Sequence, residues 1–174
     1  MTYLQLERLI KQPIFTLVDV LRNFPDDSEQ TVRVQLSRFG QRGLVKLFKR
    51  GLYSFSDRPV DELELANRLY APSYVSLETA LNYHGIIPDV PLAVTSVTTV
   101  TTKTIKAGGG TFYYHKILPK HFWGFSEGPF RLAFAGKALW DYKYLYGEKA
   151  VAALRIDWNK IDKKKLVEFD QYYR

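Results

Sequence analysis

Basic and amide side chains are concentrated in residues 28–56, and their types suit contact with nucleic acid. The stretch holds six Lys or Arg residues and, after Glu29, no acidic residue before Asp57. Arg, Gln and Thr can hydrogen-bond to base edges in a major groove, whereas Lys and Arg bind phosphate without reading sequence. The predicted DNA-binding residues are Thr31, Arg33, Gln35, Arg38, Arg42, Lys46, Lys49 and Arg50.

Other residues capable of chemistry form no recognisable catalytic or metal-binding set. The histidines, His84, His115 and His121, have no ligand-like spacing, and the chain lacks a cysteine that could complete a zinc site. The glycines at 108–110 lack the Gly-Lys-Ser/Thr ending of a phosphate loop, and a strand-like segment follows them, so a hairpin loop is expected. The sequence therefore predicts no enzyme, no cofactor and no metal site.

The basic stretch must be positioned by a helix and a hairpin. Ser28 is predicted to cap a helix that buries Val32, Leu36 and Phe39, which leaves its polar side chains on the other faces. Gly43 suits the end of this helix. Residues 44–49 and 52–56 are strand-like and are joined at Arg50 and Gly51, with basic side chains near the tip.

Two shorter helices are predicted before the basic stretch. Thr2 and Thr16 are expected to cap them, with Gln5 and Asp19 as the reciprocal partners. The order of three helices and a hairpin predicts a winged helix-turn-helix DNA-binding domain over residues 1–58. Two other interpretations stay open: a basic face that serves only solubility, and a winged helix that binds protein.

Residues 59–174 differ in composition and are predicted to form a second, α+β domain with a mostly antiparallel sheet. Ten of the twelve tyrosines lie in this part of the chain. Helices are expected at 60–70, after a Ser76 cap, at 136–146 and at 163–173, and strands at 92–104, 111–118 and 130–135. The aromatic residues at 122, 123 and 125 suit either an exposed anchor for a partner or a packing cluster.

Composition narrows the class of protein. A hydrophobic fraction of 46% supports a packed core, and a net charge of +7 favours a polyanionic partner. No apolar run approaches the ~18 residues that a membrane-spanning helix needs, and the first residues do not resemble a signal peptide. A cytoplasmic protein with no membrane partner is therefore expected.

Several blocks of the chain resemble AbiEi-type antitoxins of bacterial type IV toxin–antitoxin systems. They are RFGQRGLVKLFKRGLYSF at 38–55, ANRLYAPSYVSLETALNYHGIIPD at 66–89, VTSVTT at 94–99 and AGKALWDYKYLYG at 135–147. The resemblance implies a DNA-binding antitoxin that represses its own abortive-infection (phage-defence) operon. It also implies that the second domain opposes a nucleotidyltransferase-like toxin, without requiring a stable complex with it.

Two other functions stay open. One is a stand-alone transcriptional regulator whose second domain senses a signal or dimerises, and a neighbouring toxin gene would argue against it. The other is a nucleic-acid-modifying enzyme with an unrecognised site, which catalytic activity on nucleic acid would reveal.

Overall fold

The computed structural model describes residues 1–161 of the chain. Its contacts divide the chain into two compact units, Met1–Asp61 and a second unit that begins at Glu62. The division lies three residues after the domain boundary predicted from the sequence at residue 58. The helix predicted at 163–173 lies outside the described residues.

The first unit contains three helices and a small antiparallel sheet. In chain order its elements are α1 (Tyr3–Leu9), β1 (Ile14–Thr16), α2 (Leu17–Asn23), α3 (Glu29–Gln41), β2 (Val45–Lys49) and β3 (Leu52–Phe55). The three strands are arranged in the order β1-β3-β2. The three helices and the hairpin agree with the sequence prediction, whereas β1 is an additional strand that the sequence pattern did not predict.

The two short helices begin at complete capping boxes, as predicted. The Thr2 hydroxyl accepts a hydrogen bond from the Gln5 amide, and the Gln5 side chain accepts one from the Thr2 amide. Thr16 and Asp19 repeat this arrangement at the start of α2, with 2.7 Å between the Thr16 amide and the Asp19 carboxylate. Each box satisfies two amides that the first turn of a helix leaves without an intrahelical partner.

The core of the first unit is built from the inward faces of its helices and strands. Its largest members include Phe15, Phe39 and Phe55, and the rings of Phe15 and Phe55 are 4.8 Å apart. Arg58 extends this packing beyond the last strand. Its guanidinium lies over the Phe55 ring and donates to the carbonyls of residues 7, 10 and 11 near the end of α1.

The second unit, as far as residue 161, has four α-helices and a six-stranded sheet. Its elements are α4 (Glu62–Leu69), β4 (Ser73–Val75), α5 (Leu77–Tyr83), β5 (Val94–Thr98), β6 (Lys103–Ala107), β7 (Gly110–Lys116), β8 (Phe125–Glu127), β9 (Arg131–Ala133), α6 (Ala135–Tyr146) and α7 (Glu148–Ala153). The strand order is β6-β7-β5-β4-β9-β8. Across both sheets, five of the seven pairings between described strands are antiparallel, so the fold is α+β and mostly antiparallel.

The threonine-rich segment 92–104, predicted as one strand, contains two. After β5, the Thr98 hydroxyl donates to the Pro72 carbonyl and accepts from the Val100 amide, which turns the chain out of the strand. The chain then crosses to the far side of β7, so that β5 is parallel to β7 and β6 is antiparallel to it. Gly108 and Gly109 both have positive φ, as a two-residue hairpin turn between β6 and β7 requires.

A buried polar network joins α6 to side chains of β4 and of the residue that follows it. Lys137 and Asp141 form an ion pair on α6, and both side chains are fully buried. Tyr74 and Ser76 each donate a hydroxyl hydrogen bond to the Asp141 carboxylate, at 2.9 and 2.7 Å. Ser76 occupies the N-cap position of α5, as predicted, but its hydroxyl is turned to Asp141 and makes no capping hydrogen bond.

The aromatic residues at 122, 123 and 125 pack within the second unit. The rings of Phe122 and Phe125 lie 5.1 and 4.6 Å from the Tyr74 ring. The Trp123 indole contacts the Lys137 ammonium at 5.2 Å. These contacts support the packing interpretation of the cluster. None of the helices within residues 1–161 is long and apolar enough to cross a membrane.

Candidate nucleic-acid interface

The helix α3 carries most of the predicted DNA-binding residues, and both of its ends are fixed by hydrogen bonds. Ser28 caps the start, where its hydroxyl accepts from the Thr31 amide at 3.1 Å. At the other end Gly43, with φ of +70°, allows its own amide to reach the Gly40 carbonyl and the Leu44 amide to reach the Phe39 carbonyl. This double closure is a Schellman motif, and it turns the chain directly into β2.

One face of α3 is buried and the opposite face is exposed. Val32, Leu36 and Phe39 are at most 5% exposed, as the sequence predicts. Thr31, Arg38 and Arg42 are exposed, whereas Arg33 and Gln35 are half-buried at the margins of the core. The predicted DNA-binding residues on this helix therefore differ in their accessibility to a ligand.

Helix geometry separates Arg33 from the other predicted residues of α3. Thr31, Gln35, Arg38 and Arg42 are spaced at i, i+4, i+7 and i+11, so they form a single row along the helix. Arg33 lies about 140° around the axis from Arg38. It also forms an ion pair with Glu29, at 2.7 Å from its Nη2 and 2.8 Å from its Nε. Its charge is thus partly neutralised within the helix.

The exposed face of α3 also includes four residues outside the set predicted from the sequence. These residues are Gln30, Val34, Ser37 and Gln41. They lie on the side of the helix opposite Val32, Leu36 and Phe39. The helical period of about 100° per residue places them there, so they could have been identified from the sequence. Their side chains combine amide, hydroxyl and apolar groups, which can contact base edges and thymine methyl groups.

The β2–β3 hairpin presents its basic residues on an exposed strand and at the tip. Lys46 and Lys49 are exposed on β2, which is an edge strand of the first unit's sheet, whereas the central strand β3 beside it is buried. Arg50 is exposed at the turn, and Gly51 follows with φ of +83°. The Gly51 carbonyl accepts a 3.0 Å hydrogen bond from the Leu17 amide, which fixes the tip against the start of α2.

The hairpin and the second half of α3 carry several positive charges that are not balanced by nearby negative charges. Within the described part of the chain, Arg38, Arg42, Lys46 and Arg50 form no ion pair with an acidic residue. The helix and β2 are neighbouring elements, since Gly43 connects them through the Schellman closure. The result is an exposed surface of uncompensated cations beside the polar face of α3, which can attract a polyanion.

The remaining chemical candidates in the sequence are engaged in separate local contacts. His84 Nε2 lies 2.8 Å from the Ala133 carbonyl, and His121 packs its ring against Trp140 and Tyr144. A ring nitrogen of His115 lies 3.3 Å from the Tyr146 hydroxyl. Among residues 1–161, no group of three or more His, Asp or Glu side chains is arranged to hold a metal ion.

Comparisons with protein-family models and with curated proteins give no match to this chain. The features that bear on function are therefore the geometry and charge of α3 and the hairpin, together with the resemblance of the sequence blocks.

Proposed function

We propose that the protein is a DNA-binding transcriptional regulator and that its first unit is a winged helix-turn-helix domain. The support is the element order α1-β1-α2-α3-β2-β3, in which the β2–β3 hairpin follows the third helix and pairs with β1. In this proposal α3 is the recognition helix and the hairpin is the wing. A helix in the major groove reads base edges, and a basic wing contacts the phosphate backbone.

The observation that carries this proposal is the exposed cationic surface made by α3 and the hairpin. Arg38 and Arg42 lie in one row on the helix, and Lys46 and Arg50 lie on the following hairpin. None of these four side chains is paired with an acidic residue among residues 1–161. A purely solubilising surface has no need to concentrate unpaired cations on two consecutive elements, whereas phosphate binding does.

We propose further that the regulator is the cytoplasmic antitoxin of a type IV toxin–antitoxin operon involved in abortive infection of phage-infected cells. It represses that operon and opposes a nucleotidyltransferase-like toxin. This part rests on the resemblance of four sequence blocks, one of which spans residues 66–89 of the second unit. Double-stranded operator DNA is the direct partner, and a stable complex with the toxin is not required.

Fluorescence anisotropy with the full chain tests the DNA-binding proposal. One duplex covers the region upstream of the protein's own reading frame, and a scrambled duplex of equal length serves as the non-specific probe. We expect tighter binding to the upstream duplex and weaker binding of both as salt rises. The double variant Arg38→Ala/Arg42→Ala should lose the preference, whereas Arg8→Ala, which removes one exposed charge from α1, should keep it.

A growth assay tests the antitoxin proposal separately. A nucleotidyltransferase-like reading frame adjacent to this gene is expressed with and without the protein. We expect growth to be restored by the wild-type chain and also by Arg38→Ala/Arg42→Ala, because antitoxin activity is assigned to the second unit. Failure of the wild-type chain to restore growth would argue for a regulator without antitoxin activity.

A stand-alone regulator with a sensing second unit is the second candidate. The observation that favours it is an open cavity of about 980 Å³ within that unit. Absence of an adjacent toxin gene, together with operator binding, would select this candidate over the antitoxin.

A further inference from the structure

The cavity of the second unit lies over one face of its sheet. Its floor is formed by strands β5 and β7, and its walls by α5, by the end of α6 and by the segments 89–93 and 153–155. The cavity is lined by both apolar and polar side chains, including Ile87, Leu154, Glu78 and His115. A concave, largely apolar site with a few convergent polar groups is the usual form of a small-molecule binding site.

Successive side chains of β7 point to opposite faces of the sheet, which explains why polar and aromatic groups line the cavity floor. Thr111, Tyr113 and His115 point into the cavity, whereas Phe112 and Tyr114 are buried on the opposite face of the strand. These cavity-facing residues thus occupy alternate positions on one rigid strand that is paired on both sides, with β5 and with β6. The site is therefore built on regular structure and not only on loops.

Glu78 is a polar residue of the cavity whose Oε2 atom is enclosed without a partner among residues 1–161. It lies in the first turn of α5 and is half-buried, and its Oε2 atom has no solvent-exposed surface. Among residues 1–161, Oε2 accepts no hydrogen bond. A buried carboxylate oxygen without a donor is costly, and native proteins rarely leave one unsatisfied. Because Glu78 lines the cavity, a cationic ligand can meet this carboxylate there and supply the compensation that the enclosed oxygen lacks.

The charges around the cavity favour a cationic ligand. Among residues 1–161, the lining contains one guanidinium, Arg155, and this group is already paired with Asp89, since its Nε lies 3.2 Å from the carboxylate. Burial lowers the pKa of His115, so the imidazole tends to be neutral at pH 7, although the Glu78 carboxylate acts in the opposite direction. Within the described part of the chain, no lining residue forms an ion pair with Glu78.

Aromatic rings complete the environment that an organic cation prefers. Tyr113 and Tyr146 both line the cavity, and the two residues are about two-fifths exposed, at 41% and 42%. Tyrosine faces attract ammonium and guanidinium groups through the quadrupole of the ring. We propose that this cavity binds a small organic cation, an amine or guanidine carried on an apolar body, with the Glu78 carboxylate as its anchor.

Calorimetric titration of the full chain with three matched probes tests the proposal. Phenethylamine is cationic, 2-phenylethanol is neutral and phenylacetate is anionic, while the three share one apolar body. We expect saturable binding of phenethylamine and at least tenfold weaker binding of the other two, because a charge-assisted hydrogen bond is worth about 1.5–3 kcal/mol. Equal or tighter binding of the neutral or anionic probe would overturn the proposal, as would the absence of saturable binding by any probe.

Two variants identify the anchor. Glu78→Gln preserves the shape of the side chain and should weaken phenethylamine binding by about tenfold or more. Glu127→Gln removes an exposed carboxylate that does not line the cavity, and it should leave the affinity unchanged. Unchanged affinity in Glu78→Gln would contradict the assignment. If that variant fails to fold, the order of the three probe affinities for the wild-type chain still tests whether the cavity prefers a cation. Neither experiment depends on whether the protein binds DNA.

Discussion

The ammonium of Lys137 and the carboxylate of Asp141 are paired one turn apart on α6, and neither side chain has any exposed surface. The Tyr74 hydroxyl joins both groups, because it accepts from Lys137 Nζ at 2.8 Å and donates to Asp141 Oδ2 at 2.9 Å. Burial lowers the pKa of Lys137 and raises the pKa of Asp141, and their mutual attraction opposes both shifts. Each buried charge is thus compensated by the other and by hydrogen bonds with the hydroxyls of neighbouring residues.

Lys137→Met is expected to destabilise the second unit severely. The variant leaves Asp141 buried without its counter-charge, and breaking a buried pair in this way costs about 3–5 kcal/mol. All three tryptophans, at positions 123, 140 and 158, belong to the second unit. Urea unfolding followed by tryptophan fluorescence therefore measures the free energy of unfolding of this unit in the full chain.

The double variant Lys137→Met/Asp141→Leu is the control for that prediction. It removes both charges, so its loss of stability should be smaller than that of Lys137→Met alone. If the single and double variants lose the same stability, the cost arises from packing around α6 and not from the orphaned carboxylate.

The second unit is expected to lose stability as the pH falls from 7 towards 5. Burial lowers the pKa values of His115 and His121 below the ordinary value of 6.5, and for His121 the nearby Lys120 and Lys137 act in the same direction. Below pH 6.5 the unfolded chain binds protons that the folded chain does not, so the free energy of unfolding falls with pH until the folded pKa values are reached. Urea midpoints across this range provide the measurement.

His115→Phe tests the origin of this pH dependence. The substitution removes one of the two titrating groups, and the free energy of unfolding should then change less steeply between pH 7 and 5. A slope as steep as that of the wild-type chain would show that His115 does not contribute to it.

Most of the first unit was predictable because its signals are local. Capping boxes join residues three positions apart, and a glycine with positive φ ends α3 within a few residues of its last buried side chain. The short strand β1 was missed, because its three residues form a strand only through pairing with β3, which lies nearly forty residues later in the chain.

The second unit depends on pairings that a local pattern does not contain. The segment 92–104 is uniformly rich in β-branched residues, so nothing in its composition marks the change from β5 to β6. The role of Ser76 is another example, since its hydroxyl bonds to Asp141, which lies 65 residues away in the chain. In the candidate interface, by contrast, the Glu29–Arg33 ion pair follows the i, i+4 rule and could have been anticipated.

Two glycine substitutions at the end of α3 should change stability in opposite directions. Gly43→Ala places a side chain at φ of +70° with no neighbouring atom within 4 Å, so the loss is purely conformational and amounts to about 1 kcal/mol. Gly40→Ala lies inside the helix, where alanine is favoured by about 0.5–1 kcal/mol, and its Cβ would meet only the Val45 carbonyl at an ordinary 3.6 Å.

Hydrogen exchange of the α3 amides measures this pair of variants in the full chain, because the first unit contains no tryptophan. Protection should fall in Gly43→Ala and rise in Gly40→Ala. Loss of protection in both variants would mean that the connection between α3 and β2 tolerates no added methyl group, whatever its backbone angle.

Arg38→Ala and Arg50→Ala are expected to weaken DNA binding in different ways. Arg38 lies on the exposed face of α3, where a side chain that reads a base contributes about 1–3 kcal/mol at one position of the operator. Arg50 lies at the tip of the hairpin, where a phosphate contact contributes equally to every sequence. Anisotropy titrations of both variants against operator and scrambled duplexes, at several salt concentrations, separate these effects.

The salt dependence decides between the two roles. Each phosphate contact releases counterions, so Arg50→Ala should reduce the slope of log K against log salt by about one and should weaken both duplexes alike. Arg38→Ala should reduce the ratio of operator affinity to scrambled affinity. In an operator whose contacted base pair has been changed, the same substitution should cause no further loss of affinity. Arg33→Ala is the matched control on the same helix, because this guanidinium is already paired with Glu29 and lies away from Arg38. If Arg33→Ala reduces operator binding as much as Arg38→Ala does, the groove-facing side of α3 has been assigned wrongly.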